Sequence, residues 1–367
     1  MKRFLFKLSL FLTPLMVAVC VELFVLPIDF FTFRVWEAVV VKKYRNLLPG
    51  RFYPNMKVTK IEDRDLSHHT PFSEKDEVTW ILDRFGYRKQ ETGRRRHDVV
   101  IVGDSNIAGT GLTQGEILSE VLEERLGVSV YPLSPASLNT FLRDRRFLEV
   151  PPKIVIFESI EREITDLPAL RKPSPSHPKM QVRIEEMGSR LRDRVKENRW
   201  VQSTMVLLDR LCKMNMLQYV RASLRRMTPP FRSRHITVPS KDGPVFFLQG
   251  ARVNQPVPRG QLERAVLTIK AYNDLLASKG IRFIFLPIPN KETIYYEALR
   301  TERPVFLSQL VPALKNLGIE TVDVQKAFED AFRNDSVLLY HAGDTHWNQK
   351  GVRVAADLIR KLIEKGG

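Results

Sequence analysis

Short β-branched runs alternate with helical segments along most of this chain, and that alternation constrains the fold more than any other feature. The run "HDVVIVGDS" (97–105) has the composition of a strand buried on both faces. Segment 113–127 follows it with a helical apolar stripe, a capping pair of Thr113 and Glu116, and Gly127 at its end. Strands joined by helices form a parallel sheet covered on both faces, so the predicted fold class is α/β.

The same alternation continues beyond the first strand and helix. In an open parallel sheet, reactive groups gather at the carboxyl ends of the strands. We therefore expect Ser105 and the segments that follow the other strands to lie along one edge. The further elements are predicted strands at 128–134, 153–160 and 281–289, a shorter strand within 313–324, and helices at 261–280 and 348–363.

Composition divides the chain into four parts. Residues 1–28 are predicted to be a membrane anchor, and 29–97 a stalk or entry segment. The α/β pattern occupies 98–166 and 251–367. Between them, 167–250 loses the strand pattern and becomes rich in arginine with helical periodicity, which predicts a basic, mostly helical insertion.

The N-terminus favours insertion in a membrane. Basic residues precede an apolar run from Leu8 to Val21, and a second run extends from Leu23 to Ile28, which approaches the ~20 residues that cross a bilayer. A cleaved signal peptide is the alternative, but no A-x-A site follows and Val19 is too bulky for a lipoprotein signal. We predict an uncleaved single-pass anchor in a bacterial inner membrane, with the N-terminus in the cytoplasm and the rest on the periplasmic side.

The charge limits the classes of partner. A net charge of +16 and a pI near 9.9 suit nucleic acid, an anionic membrane surface or an acidic polymer. No zinc-finger, RNP-like or basic-zipper pattern occurs, so no nucleic-acid role is predicted. The two cysteines, Cys20 and Cys212, predict no disulfide framework, and nothing in the pattern predicts a metal or another cofactor.

The segment "YHAGDTHWNQKG" (340–351) places an acid and a histidine just before the final helix. Ser105 ends the first core strand, and a serine hydroxyl needs a base before it becomes a useful nucleophile. His346 is the candidate base, and Asp344 is placed to hold its imidazole. Together these residue types predict acyl transfer.

The combination of "GDSN" (103–106) and "DTHW" (344–347) resembles the SGNH (GDSL-like) hydrolase superfamily. The resemblance implies a flavodoxin-like three-layer α/β/α fold. It also implies that Ser105 is the nucleophile, His346 the base and Asp344 the orienting acid. The family builds its oxyanion hole from the N–H of the nucleophile, a glycine N–H and an asparagine side chain.

The chain departs from that pattern in two of the family's motif regions. No glycine stands in "LSPASLN" (133–139) and no asparagine in "ESIERE" (158–163). Other donors must then serve the oxyanion hole. The candidates are Asn106, Ala136, Ser137, Asn139, Ser159 and Arg162.

Within the superfamily, the "DTHWN..G" ending and "PIPNKETIY" (287–295) look most like the alginate O-acetyltransferase type. Such proteins are membrane-linked or periplasmic and receive acyl groups from a membrane-bound O-acyltransferase. In that group the D-x-H motif precedes the serine, whereas here it follows. Lys291 could contact an acceptor sugar or be a satisfied surface lysine, and Tyr295 could contact the sugar or pack. Trp347 could stack on a sugar or pack beneath His346.

These features predict a membrane-anchored serine acyl enzyme that acts on a carbohydrate, including an acidic polysaccharide. Either a sugar hydroxyl or water would resolve the acyl-enzyme, so an O-acetyltransferase and an O-acetylesterase both fit. The absent glycine and asparagine leave one alternative of another class, a non-catalytic SGNH-like module for polysaccharide binding or assembly.

Overall fold

A computed structural model describes residues 1–68, 70–94, 96–170, 179–227, 235–240, 243–248 and 256–366. The strands are β1 (Lys57–Asp63), β2 (Lys75–Ile81), β3 (Val99–Val102), β4 (Val130–Leu133), β5 (Ile154–Ile160), β6 (His235–Val238), β7 (Val245–Leu248) and β8 (Arg282–Ile288). The longer helices are α1 (Lys2–Cys20), α4 (Leu118–Leu126), α7 (Lys179–Glu197), α8 (Arg199–Lys213), α9 (Asn215–Met227), α10 (Arg259–Ala277), α12 (Phe306–Asn316), α13 (Val324–Asp335) and α14 (Gln349–Lys365). The short helices are α2 (Val35–Val39), α3 (Ser105–Ala108), α5 (Leu138–Phe141), α6 (Arg145–Glu149) and α11 (Lys291–Ile294), with a π-helical turn at Val21–Val25 and 3₁₀ turns at Gln114–Glu116 and Glu161–Asp166.

Contacts divide the chain into two units. The first comprises the described residues of Met1–Lys60, Trp80–Tyr87 and Ser176–Ser233. The second comprises those of Ile61–Thr79, Arg88–Pro175 and Arg234–Gly367. Parts of the predicted stalk, 61–79 and 88–97, therefore group with the α/β sheet, and the predicted insertion contributes its helices to the first unit.

The second unit is built on a parallel sheet with strand order β4-β3-β5-β8. Beyond β8, Phe285 pairs in parallel with Thr321, which marks the place of a fifth strand. In chain order this arrangement is 2-1-3-4-5, the order of flavodoxin-like folds. The predicted α/β class with a central parallel sheet is confirmed.

Helices cover both faces of this sheet. On one face, alternate strand residues such as Val99 and Ile101 pack with α4, α13 and α14 in one apolar cluster. On the other face, Phe157 packs edge-on against Tyr272 of α10, and α12 packs on α10. Alternate residues of one strand point to opposite faces, so both faces of this sheet are apolar and the structure has three layers.

Several local signals act as predicted. Thr113 and Glu116 form the capping box, although a 3₁₀ turn precedes α4 and delays its start to Leu118. Gly127 ends that helix in the left-handed region at φ 66°, a conformation that glycine adopts without a steric penalty. These signals fix where the chain turns back toward the sheet.

The first unit contains the apolar N-terminal helix and the helices α7, α8 and α9. Asp209 of α8 accepts the backbone N–H groups of Lys42, Lys43 and Tyr44 and the hydroxyl of Tyr53. One turn later, the Lys213 ammonium donates to three carbonyl oxygens, those of Glu37, Ala38 and Val40. Two buried charged side chains of one helix therefore hold the loop that follows α2.

Residues Lys2–Val25 form a helix that is long and apolar enough to cross a membrane, and its most apolar 18-residue stretch has a mean hydropathy of 2.3. None of that stretch is buried in the protein. A signal sequence has the same properties. The helix agrees with the predicted N-terminal apolar segment, and anchoring is taken up below as a proposal.

Candidate active site

Ser105 stands at the carboxyl end of β3, at the first position of the short helix α3. The preceding residue, Asp104, caps that helix by accepting the N–H of Asn106 at 2.7 Å. A side chain on Gly103 would overlap the carboxyl group of Glu158 and Ile107, so the backbone needs glycine there for this close approach. The strand end and the capped turn together present the Ser105 hydroxyl at the edge of the sheet.

Asp344 and His346 lie in the irregular segment between Tyr340 and the N-terminus of α14. Tyr340 and Trp347 form an isolated antiparallel bridge that closes this segment into a loop. Asn348 then caps α14 by accepting the N–H groups of Lys350 and Gly351. The catalytic-type residues therefore sit just before the last helix, as the sequence predicts.

The three side chains form a continuous hydrogen-bonded chain. His346 Nε2 lies 2.8 Å from Ser105 Oγ, and His346 Nδ1 lies 2.6 Å from Asp344 Oδ1. Asp344 is fully buried and His346 nearly so, whereas Ser105 is partly exposed. The one accessible group is thus the hydroxyl, and the base and acid are shielded from water.

Asp344 is held by more than its histidine. Its Oδ1 also accepts the N–H groups of Thr345 at 2.6 Å and His346 at 3.2 Å, and its Oδ2 accepts the N–H of Asp65 at 3.1 Å. Hydrogen bonds to a carboxylate favour its ionised form and fix its direction. The orientation of the Asp344 carboxylate therefore does not depend on the imidazole alone.

Lys291 holds the same loop from below. Its buried ammonium lies within 2.7–3.0 Å of four carbonyl oxygens, those of Phe246, His341, Ala342 and Asp344. Burial lowers the pKa of Lys291 to about 7, and the carboxylates of Glu292 and Asp344 oppose that shift. One side chain therefore fixes three carbonyls of the segment that precedes His346.

Two further contacts join this loop to its surroundings. The carbonyl of Gly343 accepts the N–H groups of Leu66 and Ser67, at 2.9 and 3.0 Å. Trp347 Nε1 donates to the carbonyl of Asn106 at 3.2 Å, which ties the histidine segment to the helix that carries the serine. The relative position of Ser105 and His346 thus depends on contacts outside the triad.

Glu158, at the carboxyl end of β5, lies beneath the serine turn. Its Oε2 accepts the N–H of Asp104 at 2.9 Å. Burial and the Asp104 carboxylate raise the pKa of Glu158 well above its usual range. Its Oε1 is buried and has no hydrogen-bond partner within the described ranges. This buried carboxyl positions the turn that carries the nucleophile.

The predicted oxyanion donors separate into engaged and free groups. The Ala136 N–H donates to the Gly103 carbonyl at 2.9 Å and is not available to an oxyanion, and the Asn106 amide uses one of its two N–H groups to donate to Asp104 at 3.1 Å. The Asn139 amide donates to Ala169, and Ser159 to the adjacent carbonyl of Ile160. The backbone N–H groups of Ser105 and Ser137 are different, because neither has a hydrogen-bond acceptor among the described residues.

Arg162, a candidate oxyanion donor from the sequence, lines a cavity beside Asn290. It lines a space of about 390 Å³ together with Glu161, Asn290, Arg303 and Phe306, and its Nη1 donates to Asn290 Oδ1 at 3.3 Å. Ser105 does not line this cavity. The 3₁₀ turn after β5 carries the side chain toward Asn290, and the oxyanion role of Arg162 stays a prediction.

The residues predicted as sugar contacts are buried. Tyr295 packs against Phe332 and Tyr340, and its hydroxyl accepts the N–H of Leu339 at 2.8 Å. Trp347 is completely buried, and Lys291 binds the carbonyls described above. In this conformation the three side chains present almost no surface to an acceptor sugar. Burial favours the packing interpretation of Tyr295 and Trp347, whereas Lys291 is neither exposed at the surface nor open to a sugar.

Sequence reasoning missed Glu158, the loop-holding role of Lys291, and the segment 65–67. A weak signal existed for the first two, since each lies at the carboxyl end of a core strand. Nothing in the pattern of 65–67 indicates that its N–H groups bind Asp344 and Gly343, because that contact depends on packing between residues far apart in sequence.

Comparison with known proteins agrees with the site. Residues 238–366 match the family model described as "SGNH hydrolase-like domain, acetyltransferase AlgX". The match includes Asp344 and His346 and begins after Ser105. It confirms the resemblance to SGNH hydrolases predicted from the two motifs, and it supports an esterase or acyltransferase type of domain.

Among solved structures, similar chains include a lipolytic protein assigned to the G-D-S-L family from Desulfitobacterium hafniense, at 14% identity and TM-score 0.36, covering 72% of this chain and 98% of that one. A GDSL-like lipase from Bacteroides thetaiotaomicron gives 11% identity and TM-score 0.34, with 76% and 93% covered. No curated relative matches the chain.

Proposed function

We propose that this chain is a serine acyl enzyme that transfers acetyl groups to a cell-envelope or exported polysaccharide. The observation that carries the proposal is the Ser105–His346–Asp344 chain, with its 2.8 and 2.6 Å contacts. A binding module needs no such chain, whereas a serine nucleophile needs a base and a buried acid that orients the base.

In the first half of the reaction, Ser105 Oγ attacks the acyl carbonyl carbon while its proton passes to His346 Nε2. Asp344 holds the Nδ1–H and stabilises the resulting imidazolium. The free N–H groups of Ser105 and Ser137 are the candidate donors to the developing oxyanion. Collapse of the tetrahedral intermediate breaks the bond to the donor, and the leaving group takes the proton from His346.

In the second half, a sugar hydroxyl gives its proton to His346 and attacks the acyl-serine, which releases Ser105. Water in the same position gives an esterase. The match to an acetyltransferase family model supports the sugar as acceptor. A membrane-bound O-acyltransferase is the proposed acyl donor, and an acidic polysaccharide is the acceptor that the net charge of +16 favours.

The proposed location is the periplasmic face of a bacterial inner membrane, with the N-terminal helix as a single-pass anchor. Its length and hydropathy support this, as do the three basic residues at positions 2, 3 and 7 that favour a cytoplasmic N-terminus. This arrangement would keep the enzyme at the same membrane as its proposed donor.

The test measures acetyl release from an activated acetyl ester by the full chain in detergent. We expect a stoichiometric burst from the wild type, loss of the burst in Ser105→Ala and His346→Ala, and an unchanged burst in Ser308→Ala, which removes an exposed serine on α12. Acetyl found on an added acidic oligosaccharide identifies a transferase. A folded wild type that gives no burst and binds the oligosaccharide would instead indicate a non-catalytic module.

A further inference from the structure

We propose that α8 and α9 of the first unit form a surface that binds anionic phospholipid headgroups beside the anchor. The docking patch consists of Leu211, Tyr219, Val220, Arg221 and Leu224. This inference depends on the proposed anchor but not on the acyl chemistry, so the two can fail separately.

The apolar members of the docking patch lie on the surface of the protein. Leu211, Tyr219, Val220 and Leu224 are between 41% and 58% exposed. Val220, Arg221 and Leu224 lie on one face of α9, whereas Tyr219 lies on another face of that helix and Leu211 lies on α8. Val220 and Leu224 are the grouped apolar part of the patch, and grouped exposed apolar side chains mark a surface that contacts something apolar.

The charge around the patch fits a negatively charged partner. From Arg199 to Met227 the sequence has six lysines and arginines and one acidic residue, Asp209. Asp209 and Lys213 are both buried and occupied by hydrogen bonds, so neither presents its charge to solvent. The other five are arginines, and arginine near an anionic leaflet is attracted to it.

Contacts with the anchor place these helices at the level of the headgroups. Arg210 Nη2 donates to the Glu22 carbonyl at 2.9 Å, and the Met216 N–H donates to Glu22 Oε2 at 3.4 Å. The apolar stretch from Leu8 to Val25 spans ~27 Å at 1.5 Å per residue, close to the thickness of the hydrocarbon core. Glu22, one turn from its end, therefore lies near the outer boundary, and the junction of α8 and α9 lies there with it.

A lipid surface fits these observations better than other occupants. The patch joins leucine and valine with arginine, the composition of helices that lie in a membrane interface. A polysaccharide would satisfy the arginine but leave the aliphatic side chains in water. The patch is also joined through Arg210 and Met216 to a helix that itself enters the bilayer.

The experiment uses the full chain with Cys20→Ser and Cys212→Ser. Leu224→Cys is labelled with an environment-sensitive fluorophore, and the matched control is Leu267→Cys, 64% exposed on α10. Both are reconstituted in vesicles of phosphatidylcholine with or without phosphatidylglycerol. We expect brominated lipid to quench the label at position 224 at least twofold more than at 267, and phosphatidylglycerol to increase that difference. Adding Arg221→Glu should reduce it.

Equal quenching at both positions overturns the proposal and leaves a protein partner as the occupant of the patch. A difference that does not depend on phosphatidylglycerol overturns the headgroup assignment. Circular dichroism checks that each labelled variant is folded. Because the acetyl burst is measured separately on the same samples, an absent burst bears on Ser105 and not on the docking patch.

Discussion

The segment that carries Ser105 is held by regular secondary structure, whereas the segment that carries Asp344 and His346 is held by side chains and loops from elsewhere in the chain. Ser105 follows a strand paired on both sides and begins a capped helix. The His346 segment has no helix or strand of its own, and Lys291, Asp65 and Gly343 fix it. The serine is placed by the fold class, and the base by particular residues.

The difference predicts where the site is most sensitive. Changes outside the triad that disturb activity should affect mainly the position of His346, since its loop can move without breaking the sheet. The following predictions test that asymmetry, in order of decreasing effect.

Asp344→Asn should lower kcat for an activated acetyl ester by about 10³-fold or more, because the amide cannot hold the imidazole in the correct tautomer. Steady-state kinetics measure the loss. Asp330→Asn, on the exposed face of α13, is the control and should retain activity. A loss of less than tenfold in Asp344→Asn would mean that the backbone alone orients His346.

Lys291→Met should lower kcat by about 10²-fold with KM little changed, because a loop displaced by 1 Å moves the base away from the hydroxyl. The variant also leaves four carbonyls without their donor, so the melting temperature should fall. Lys270→Met, which removes an exposed lysine from α10, is the matched control. A variant that loses stability but keeps kcat would show that Lys291 supports the fold without positioning His346.

Gly343→Ala should lower kcat by about tenfold. An added Cβ would overlap the side chain of Ser67, so the loop must shift to accommodate it. Gly115→Ala is the control, because nothing lies within 4 Å of the added atom there. Comparing kcat of the two variants isolates the loop contact, and equal activity would show that this contact can relax freely.

The free energy of unfolding should depend on pH because of the buried amine of Lys291. The pKa of Lys291 is lowered to about 7 in the folded chain, so between pH 7 and its ordinary value the unfolded chain binds more protons and stability rises with pH. The difference between wild type and Lys291→Met should therefore increase by about 1 kcal/mol from pH 7 to pH 8. Burial also lowers the pKa of Lys213 to about 7, but Lys213 is present in both proteins, so its contribution cancels in the difference. Urea unfolding at several pH values measures the difference, and a flat profile would mean that the carbonyls keep Lys291 charged throughout.

The same asymmetry explains what the sequence could predict. A buried β-branched strand ending in Gly-Asp-Ser, the Thr113–Glu116 capping box and Gly127 are local signals, and the elements they mark are present with ends shifted by a few residues. The chemistry of Ser105, Asp344 and His346 also follows from residue types. The sheet brings its strand ends and the last loop to one edge, and the contacts of Lys291, Asp65 and Gly343 then complete the position of His346.

The missed details depend on long-range packing. In "PIPNKETIY" the lysine fits a sugar contact or an ordinary surface position equally well, and the tyrosine fits a sugar contact or a packed position. Only the fold shows that both Lys291 and Tyr295 are buried. The N–H of Ala136 cannot bind an oxyanion, because its loop folds back and the N–H donates to the Gly103 carbonyl instead. No spacing in the sequence encodes either contact.

The hydrogen bond between Trp347 and Asn106 joins positions 241 residues apart, the same separation as Ser105 and His346. Contacts of such long sequence separation form late, after the entropy of closing the intervening chain has been overcome. Until these contacts form, the hydroxyl of Ser105 lacks its base and remains an ordinary alcohol. Under the proposed mechanism, formation of an acyl-enzyme would therefore report the final stage of folding.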